Sequence, residues 1–489
     1  MTLASFTQLL LSWVWSPWLV ALCLATGLWF SARTRFIQLR GLPAMLRLVG
    51  STRRSASGIS PLQALSISLS NRVGVGNIAG VAMAIAFGGP GAVFWMWVVA
   101  MLGASSAFIE STLAQIYKEP GCDGVYRGGP AYYIEKGLGM RRYAHLFALC
   151  TVAAAALLAG TQSNTIASVL DEAWRIPPGA TAGVLLVLLA AVIFGGVRRI
   201  AQVAQWVVPA MAAAYLLLAL GVLAFNMDRV PGVFLLIVRS AFGIDAAFGA
   251  MLGTAIQWGV RRGVLSNEAG MGSGAHPAAA ADVAHPVEQG LVQAFSVYVD
   301  TLVVCSATAF LILGTGLYNV YDPAVGGVPD ASRMLVAHLP GVEPGPRFVQ
   351  HAVGSVMPGA GPGIVALAIL PFAFTTLLGL YYMAETNLAY LGRQRGGALM
   401  ITAFRVLFLT AAGWCAVNNA TVAWALGDLG VGLMSWLNII AILLLQKPAL
   451  AALRDYDQAR AAGRTLDFDP QRLGIRNAGV WSRLRDPLR

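Results

Sequence analysis

Long apolar segments recur along almost the whole chain, and they constrain the fold more than any other feature of the sequence. A helix needs about 20 apolar residues to cross the hydrocarbon core of a bilayer, and segments of that length alternate here with short polar loops. Charged residues make up only 11% of the chain, against roughly 25% in soluble domains. The sequence therefore predicts an all-α integral membrane protein.

Eleven transmembrane helices are predicted from these segments. They are 15–33, 62–88, 91–117, 145–170, 181–197, 202–225, 244–262, 287–316, 363–391, 397–415 and 420–446. The polar stretch 317–362 is the largest loop between them. No basic region precedes the first apolar segment, so we interpret that segment as a retained span rather than a secretory signal peptide.

Lysine and arginine residues concentrate in alternate loops, which predicts the orientation of the chain. One side carries 33–54, 118–142, Arg198, Arg199, Arg261, Arg262, Arg393, Arg395 and the C-terminal tail, and the other carries only Arg175, Arg229, Arg239, Arg333 and Arg347. Because cytoplasmic loops hold the excess of basic residues, the N-terminus is predicted outside and the C-terminus in the cytoplasm of a bacterial inner membrane. The net charge of +11 then reflects topology, and nucleic acid is not an expected partner.

The ten helices after the first are predicted to form an inverted repeat. They divide into five plus five, over 62–225 and 244–446, and the two opening helices start on opposite sides of the membrane. The predicted organisation is an extra N-terminal transmembrane helix in 1–35, a transporter core in 36–446 and a cytoplasmic tail in 447–489.

Both opening helices, the second and the seventh, contain glycine and polar residues that predict a discontinuity. The second holds the run 71–77 with Gly74, Val75, Gly76 and Asn77, and the seventh holds Gly259 and the run 266–272. A break frees backbone groups that lipid cannot satisfy, and paired breaks in two repeats mark a transporter's central site. Freed amides suit a carboxylate and freed carbonyls a small cation. Close packing or a kink is the simpler interpretation of any single glycine.

Polar residues inside the spans supply further candidates, since ionisable groups at membrane depth are expensive and usually functional. The gating or second-cation candidates are Arg72, Glu110, Asp300 and Glu385. Glu110 and Glu385 are expected to pair with an arginine near the cytoplasmic side, whereas Asp300 is the candidate for a cation or proton. Asn77 is expected to close a second cation site or to hold a substrate carboxylate. Gln162 is expected either to hydrogen-bond between helices or to line the substrate pocket.

A set of short motifs follows in collinear order between about residues 36 and 390. They are Asn71–Gly80, Gly88–Ala92, Glu110–Gln115, Arg127–Tyr133, Arg262–Gly263, Ser266–Gly270, His285–Pro286, Gln289–Gly290 and Asp300–Cys305. This set resembles the alanine/glycine:cation symporter family, the sodium:alanine symporters. The resemblance implies a LeuT-type fold with one extra N-terminal helix and sodium-coupled import of a small neutral amino acid, with alanine or glycine expected. It also implies membrane lipid as surroundings, a monomer or weak oligomer, and no enzymatic activity.

The resemblance further implies a sodium site between the broken second helix and the ninth helix. Its ligands would be the backbone carbonyls of Ser70, Val73 and Phe372 with the hydroxyls of Thr375 and Thr376. Hard cations prefer oxygen ligands, and this set supplies them without a formal charge. In the absence of the resemblance, the simpler interpretation is that both threonines bond the carbonyls four residues before them.

Two positions depart from the family's pattern. Leu380 stands where the family usually has a tryptophan that walls the substrate pocket, and Val75 replaces a frequent threonine. The expected substrate-binding set is Gly74, Val75, Gly76, Asn77, Gln162, Gly259 and Leu380. Leucine is smaller than tryptophan, so the pocket is expected to be roomier. Neutral substrates are expected because no charged side chain evidently points at this pocket.

Other function classes fit the sequence less well. A proton-coupled amino acid transporter is the nearest alternative, because Asp300 lies in the middle of a predicted span. A membrane-embedded enzyme would need a nucleophile or metal cluster, and the chain contains no HExxH, GxSxG or phosphate-loop motif. A channel would predict oligomeric pore repeats instead of one inverted repeat.

Overall fold

The computed structural model describes residues 3–50, 58–121, 124–245, 248–393, 397–418 and 420–485. Of the positions singled out above, Arg395 lies outside this part, as do 51–54 and 122–123 of the two basic segments, 246–247 of the predicted seventh span and 486–489 of the tail. The described chain is mostly helical, with two short antiparallel strand pairs, β1 (Glu119–Pro120) with β2 (Tyr126–Arg127) and β3 (Asn319–Tyr321) with β4 (Met334–Ala337).

The first half of the chain contains eleven α-helices among its described residues. They are α1 Leu3–Val14, α2 Pro17–Arg33, α3 Ile37–Arg40, α4 Leu42–Val49, α5 Pro61–Arg72, α6 Ala79–Gly88, α7 Gly91–Ile116, α8 Pro130–Tyr133, α9 Arg141–Trp174, α10 Pro178–Ile193 and α11 Gly196–Ala224.

Eleven more α-helices are described in the second half. They are α12 Val230–Ala241, α13 Leu252–Asn267, α14 Ala275–Ala280, α15 Pro286–Val297, α16 Ser306–Thr315, α17 Pro346–Val356, α18 Gly361–Leu391, α19 Gly397–Val417, α20 Ala420–Leu444, α21 Gln446–Ala461 and α22 Gly479–Arg485. A π-helical segment, Tyr298–Cys305, joins α15 to α16.

Eight helical segments in the described chain are long and apolar enough to cross a membrane. The predicted spans 62–88, 181–197 and 244–262 are not among them, because the chain forms shorter helices there. The second span is divided by a break, whereas α10 and α13 are each 16 residues long. The predicted total of eleven spans therefore remains a prediction.

The first break separates α5 from α6. Helix α5 ends at Arg72, a single 3₁₀ turn covers Val75–Asn77, and α6 begins at Ala79. The side-chain oxygen of Asn77 accepts a hydrogen bond of 2.9 Å from the N–H of Gly74. One polar side chain thus satisfies a backbone donor that the break would leave buried and unpaired.

The second break separates α13 from α14. Helix α13 ends at Asn267, where Glu268 takes a left-handed conformation with φ of 53°. Gly270 and Gly272 also have positive φ, at 82° and 88°, which glycine adopts at little cost. The run 266–272 therefore unwinds the chain at the place the glycine pattern indicates.

The helices on either side of the breaks pack against the long helices: α5 against α11 and α18, and α13 against α6 and α7. Helix α9 packs against α18, α19 and α20, and helix α7 packs against α13 and α15. Near the other end of the chain, α21 packs against α7 and α15. The tail is thus docked on the helical core, where the indole nitrogen of buried Trp481 donates to the Gln115 carbonyl at 2.8 Å.

Candidate functional site

A small central cavity of about 30 Å³ lies between the two breaks. Both broken helices contribute to its wall, together with α9, α18 and α20. Its lining residues are Asn71, Arg72, Gly74, Gly76, Leu158, Thr161, Gln162, Leu265, Glu268, Thr376, Leu380, Trp424 and Asp428. Four members of the predicted substrate set, Gly74, Gly76, Gln162 and Leu380, are therefore brought together here.

Helix α18 meets the first break at Thr376. Its hydroxyl donates to the carbonyl of Ser70, at 2.9 Å, and to that of Phe372, also at 2.9 Å. A Cβ added at Gly74 would collide with this hydroxyl, so glycine is what allows the two elements to approach. Three of the five predicted sodium ligands, Ser70, Phe372 and Thr376, therefore lie within one hydrogen-bonded group.

The other two predicted sodium ligands lie beside this group. Thr375 donates within its own helix, to the carbonyls of Pro371 at 2.9 Å and Phe372 at 3.2 Å, and its hydroxyl also faces the sulfur of Met211 at 3.5 Å. Val73 is buried directly after α5. The Thr375 hydroxyl thus makes its contacts away from α5, unlike that of Thr376.

Asp300 is buried in the π-helical segment and is held by neutral donors. One carboxylate oxygen accepts from the side-chain amide of Asn77 at 2.6 Å. The other accepts from the hydroxyls of Ser266 at 2.8 Å and Thr301 at 2.6 Å. Asn77 therefore links the first break to this carboxylate and Ser266 links the second, beside the central cavity rather than in its wall.

Arg72 and Glu110 are both buried, but they are not bonded to each other. The Arg72 guanidinium donates to the Gln293 carbonyl at 2.9 Å and to the Ser296 hydroxyl. Glu110 accepts from the N–H of Gly272 at 3.1 Å and from the side chain of Asn438 at 2.8 Å. The prediction that Glu110 pairs with an arginine is therefore wrong for the described residues. The second break supplies a backbone donor, the N–H of Gly272, in place of the arginine.

Glu385 lies near the end of α18 that faces the segment 119–135. Its carboxylate is 3.6 Å from the Arg127 guanidinium. At the same end, Arg393 bridges Glu119 at 2.5 Å and Glu135 at 2.8 Å. These ion pairs connect the end of α18 to the segment that follows α7.

A second, larger cavity of about 300 Å³ adjoins the first. Residues from α13, α20 and the long loop around 326–347 line it, and Trp424 and Asp428 line both cavities. Asp428 pairs with Arg261 at 2.6 Å and with Arg262 at 3.1 Å. The three side chains form a charged barrier between the two spaces.

This barrier corrects the sequence-based placement of Arg261 and Arg262 in a basic loop at the far end of the seventh helix. Helix α13 continues to Asn267, so both arginines lie within it, and Arg262 is only 4% exposed. The Trp258 ring lies 5.0 Å from each guanidinium carbon. Ion pairing and cation–π contacts explain how the two charges are accommodated inside the protein.

Three members of the predicted substrate set do not line the central cavity. Val75 is buried in the 3₁₀ turn, and Asn77 contacts Asp300 instead. Gly259 packs against α7, where an added Cβ would lie 2.5 Å from the carbonyl oxygen of Ala92. Gly259 is therefore corrected to a helix-packing position.

The charge of the cavity wall also differs from the expectation. No charged side chain was expected to face the substrate, yet Arg72, Glu268 and Asp428 all line the central cavity. Asp428 belongs to the apolar segment 420–446, where an ionisable residue is itself a signal of function. Glu268 belongs to the run 266–272, for which the sequence predicted a discontinuity but not that the break turns this side chain towards the cavity.

Comparison with known proteins agrees with this architecture. The model of the "Sodium:alanine symporter family" matches residues 1–470. YrbD of Bacillus subtilis (strain 168) is 54% identical, over 98% of both chains. The "Sodium/proton-dependent alanine carrier protein" of Bacillus sp. (strain PS3) is 47% identical, over 89% of this chain and 97% of that protein.

A solved structure shares the fold at low sequence identity. The crystal structure of MhsT in complex with L-phenylalanine superimposes with a TM-score of 0.53 and 14% identity, covering 82% of this chain and 98% of that one. The fold is therefore that of LeuT-type transporters, and the chain is a multi-pass membrane transporter rather than an enzyme. On the match over residues 1–470 and the identity of these relatives, the chain belongs to the sodium:alanine symporter family.

Proposed function

We propose that this protein carries a small neutral amino acid, alanine or glycine, into the cell together with sodium. The observation that carries the proposal is the group of oxygen atoms at the first break, where the Thr376 hydroxyl meets the carbonyls of Ser70 and Phe372. Val73 and Thr375 would complete the sodium ligands. The family to which the chain belongs and the names of its relatives support both the ion and the substrate.

Uptake by purified protein in liposomes is the direct test. Labelled alanine is added outside the liposomes. An inward sodium gradient is expected to drive accumulation of alanine inside them, whereas choline at the same pH and osmolarity is expected to give only the background uptake of liposomes without protein. Equal uptake in the two buffers would contradict sodium coupling.

Proton coupling is the second candidate, and one observation favours it. Asp300 is buried without an ion-pair partner among the described residues, and the Bacillus sp. relative is named sodium/proton-dependent. A proton gradient imposed in sodium-free buffer separates the two candidates. If alanine accumulates under those conditions in the native protein but not in Asp300→Asn, transport is coupled to protons.

The proposed membrane arrangement has eleven spans, an extra N-terminal helix in 1–35 and a core in 36–446 built as an inverted repeat. The two breaks support this arrangement, because they fall in the opening helix of each proposed half. The N-terminus would be outside and the tail 447–489 in the cytoplasm. That orientation can be tested by introducing a single cysteine at one or the other terminus of the protein and labelling it from outside in intact cells.

Leu380 is proposed to set the size of side chain that the carrier accepts. It lines the central cavity, and the larger tryptophan of the family pattern would narrow that space. Leu380→Trp is expected to weaken competition by larger amino acids by roughly 1–3 kcal/mol per methylene, while alanine and glycine remain good competitors.

The measurement is inhibition of labelled alanine uptake by glycine, serine, valine, leucine and glutamine. Leu377→Trp is the matched control, because Leu377 is buried on the same helix and does not line the cavity. An identical ranking of competitors in the native chain and in Leu380→Trp would remove Leu380 from the substrate pocket.

A further inference from the structure

Glu268 occupies a distinctive position in the central cavity. It directly follows α13, its left-handed backbone turns the chain into the second break, and the residue is only 4% exposed. One carboxylate oxygen accepts from the Ser273 hydroxyl at 2.5 Å. The same residue lines the cavity together with Gly74 and Gly76 of the first break.

The carboxylate of Glu268 has no ion-pair partner among the residues that the structure describes. Asp428, the other acid in the cavity wall, is neutralised by Arg261 and Arg262. Arg72 also lines the cavity, but only its Nη1 donates, to Gln293 and Ser296 of α15. Its Nε and Nη2 are buried without a hydrogen-bond partner among the described residues, so Arg72 lies near Glu268 without forming an ion pair with it. A buried carboxylate is costly unless a cation or several donors face it, so the cavity has a place for one positive charge.

An amino acid substrate brings such a charge at a fixed distance from its own carboxylate. At the first break, the amides of Gly74 and Asn77 already donate, to the Asn77 side chain and the Gly74 carbonyl. The amides of Val75 and Gly76, at the start of the 3₁₀ turn, are the donors offered to a carboxylate, and Glu268 lines the same cavity as Gly74 and Gly76. We propose that Glu268 binds the α-ammonium group of the substrate and so restricts the carrier to amino acids with a free amino group. This inference rests on the proposed function and adds the residue that recognises the amine.

The pairing explains how a cavity containing charged side chains can serve a substrate with no net charge. The ammonium is matched by Glu268, and the substrate carboxylate is matched by the first break. The substrate side chain is then left to Gln162 and Leu380, which line the same cavity. A carboxylic acid that lacks the amine would leave Glu268 buried and unpaired, and it should therefore bind poorly.

Competition between alanine and lactate tests this role, because lactate carries a hydroxyl where alanine carries the ammonium. Inhibition constants for both are measured against labelled alanine in sodium buffer, for the native chain, Glu268→Gln and Glu268→Asp. The native protein is expected to prefer alanine by roughly 10- to 100-fold, the range expected for a charge-assisted hydrogen bond. That preference should fall close to one in Glu268→Gln and be partly restored in Glu268→Asp.

Glu288→Gln is the control, since Glu288 is a buried acid in the first turn of α15 that accepts from the N–H of Ala284 and does not line the cavity. It should keep the native preference. The proposal would be overturned if Glu268→Gln kept the native ratio of the inhibition constants of alanine and lactate. An equal loss of affinity for both ligands leaves that ratio unchanged and would overturn it as well. If the native protein binds no amino acid in sodium buffer, the proposed function fails as well, so the two failures are distinguishable.

Discussion

Thr376→Val is expected to raise the sodium concentration needed for half-maximal alanine uptake by roughly 5- to 150-fold. The substitution keeps the shape of the side chain but removes the hydroxyl that meets the carbonyls of Ser70 and Phe372. Losing one ligand and leaving the buried carbonyls without a donor costs about 1–3 kcal/mol, and this range gives the expected shift. The measurement is alanine uptake as a function of sodium concentration.

Thr386→Val is the matched control for this effect. Thr386 is also buried in α18 and bonds the carbonyl four residues before it, that of Tyr382, but it does not contact α5 through its hydroxyl. Its sodium dependence should match that of the native protein. If Thr376→Val shows the native sodium dependence with normal amounts of protein in the membrane, Thr376 is not a sodium ligand.

Asp428→Ala is expected to have the second large effect, on the stability of the protein. The substitution leaves the guanidinium groups of Arg261 and Arg262 without their carboxylate in the barrier between the two cavities. Removing one partner of a buried ion pair costs about 3–5 kcal/mol, because the remaining charge stays buried. A clear fall in the thermal unfolding temperature of the purified protein in detergent should result, together with loss of uptake.

Asp457→Ala provides the comparison. Asp457 pairs with Arg40 at 2.8 Å, but both side chains are well exposed, at 41% and 38%. Exposed ion pairs contribute about 0–1 kcal/mol, so this variant should unfold close to the native temperature. Equal unfolding temperatures for the two variants would show that the ion pairs of the barrier stabilise the folded protein no more than an exposed ion pair does.

The discontinuities and part of the central site were predictable from local chemistry. Glycine and polar residues at 71–77 and 266–272 are unusual inside an apolar helix, and in the structure the helix ends within each of these runs. The meeting of Thr376 with Ser70 and the cavity position of Leu380 followed from the family resemblance. Gln162 was left open between a contact that joins helices and a pocket-wall residue, and it lines the cavity. These features depend on residue type and order along the chain.

The misplaced residues depend on contacts between distant segments, which the order of residues does not reveal. Arg261 and Arg262 were counted as loop residues, because an apolar segment that ends in two arginines usually ends at the membrane surface. Their partner Asp428 is about 166 residues further along the chain. Gly259 was assigned to the pocket, because glycine at a break and glycine at a helix contact look alike in sequence.

The close contact of α13 with α7 constrains how the protein can move. Added Cβ atoms would lie 2.5 Å from the Ala92 carbonyl oxygen at Gly259 and would collide with Val99 at Gly263. Two helices whose backbones touch along a glycine stripe cannot slide past each other without separating. Any rearrangement that opens the cavities in turn must therefore move α13 and α7 together, as one rigid body.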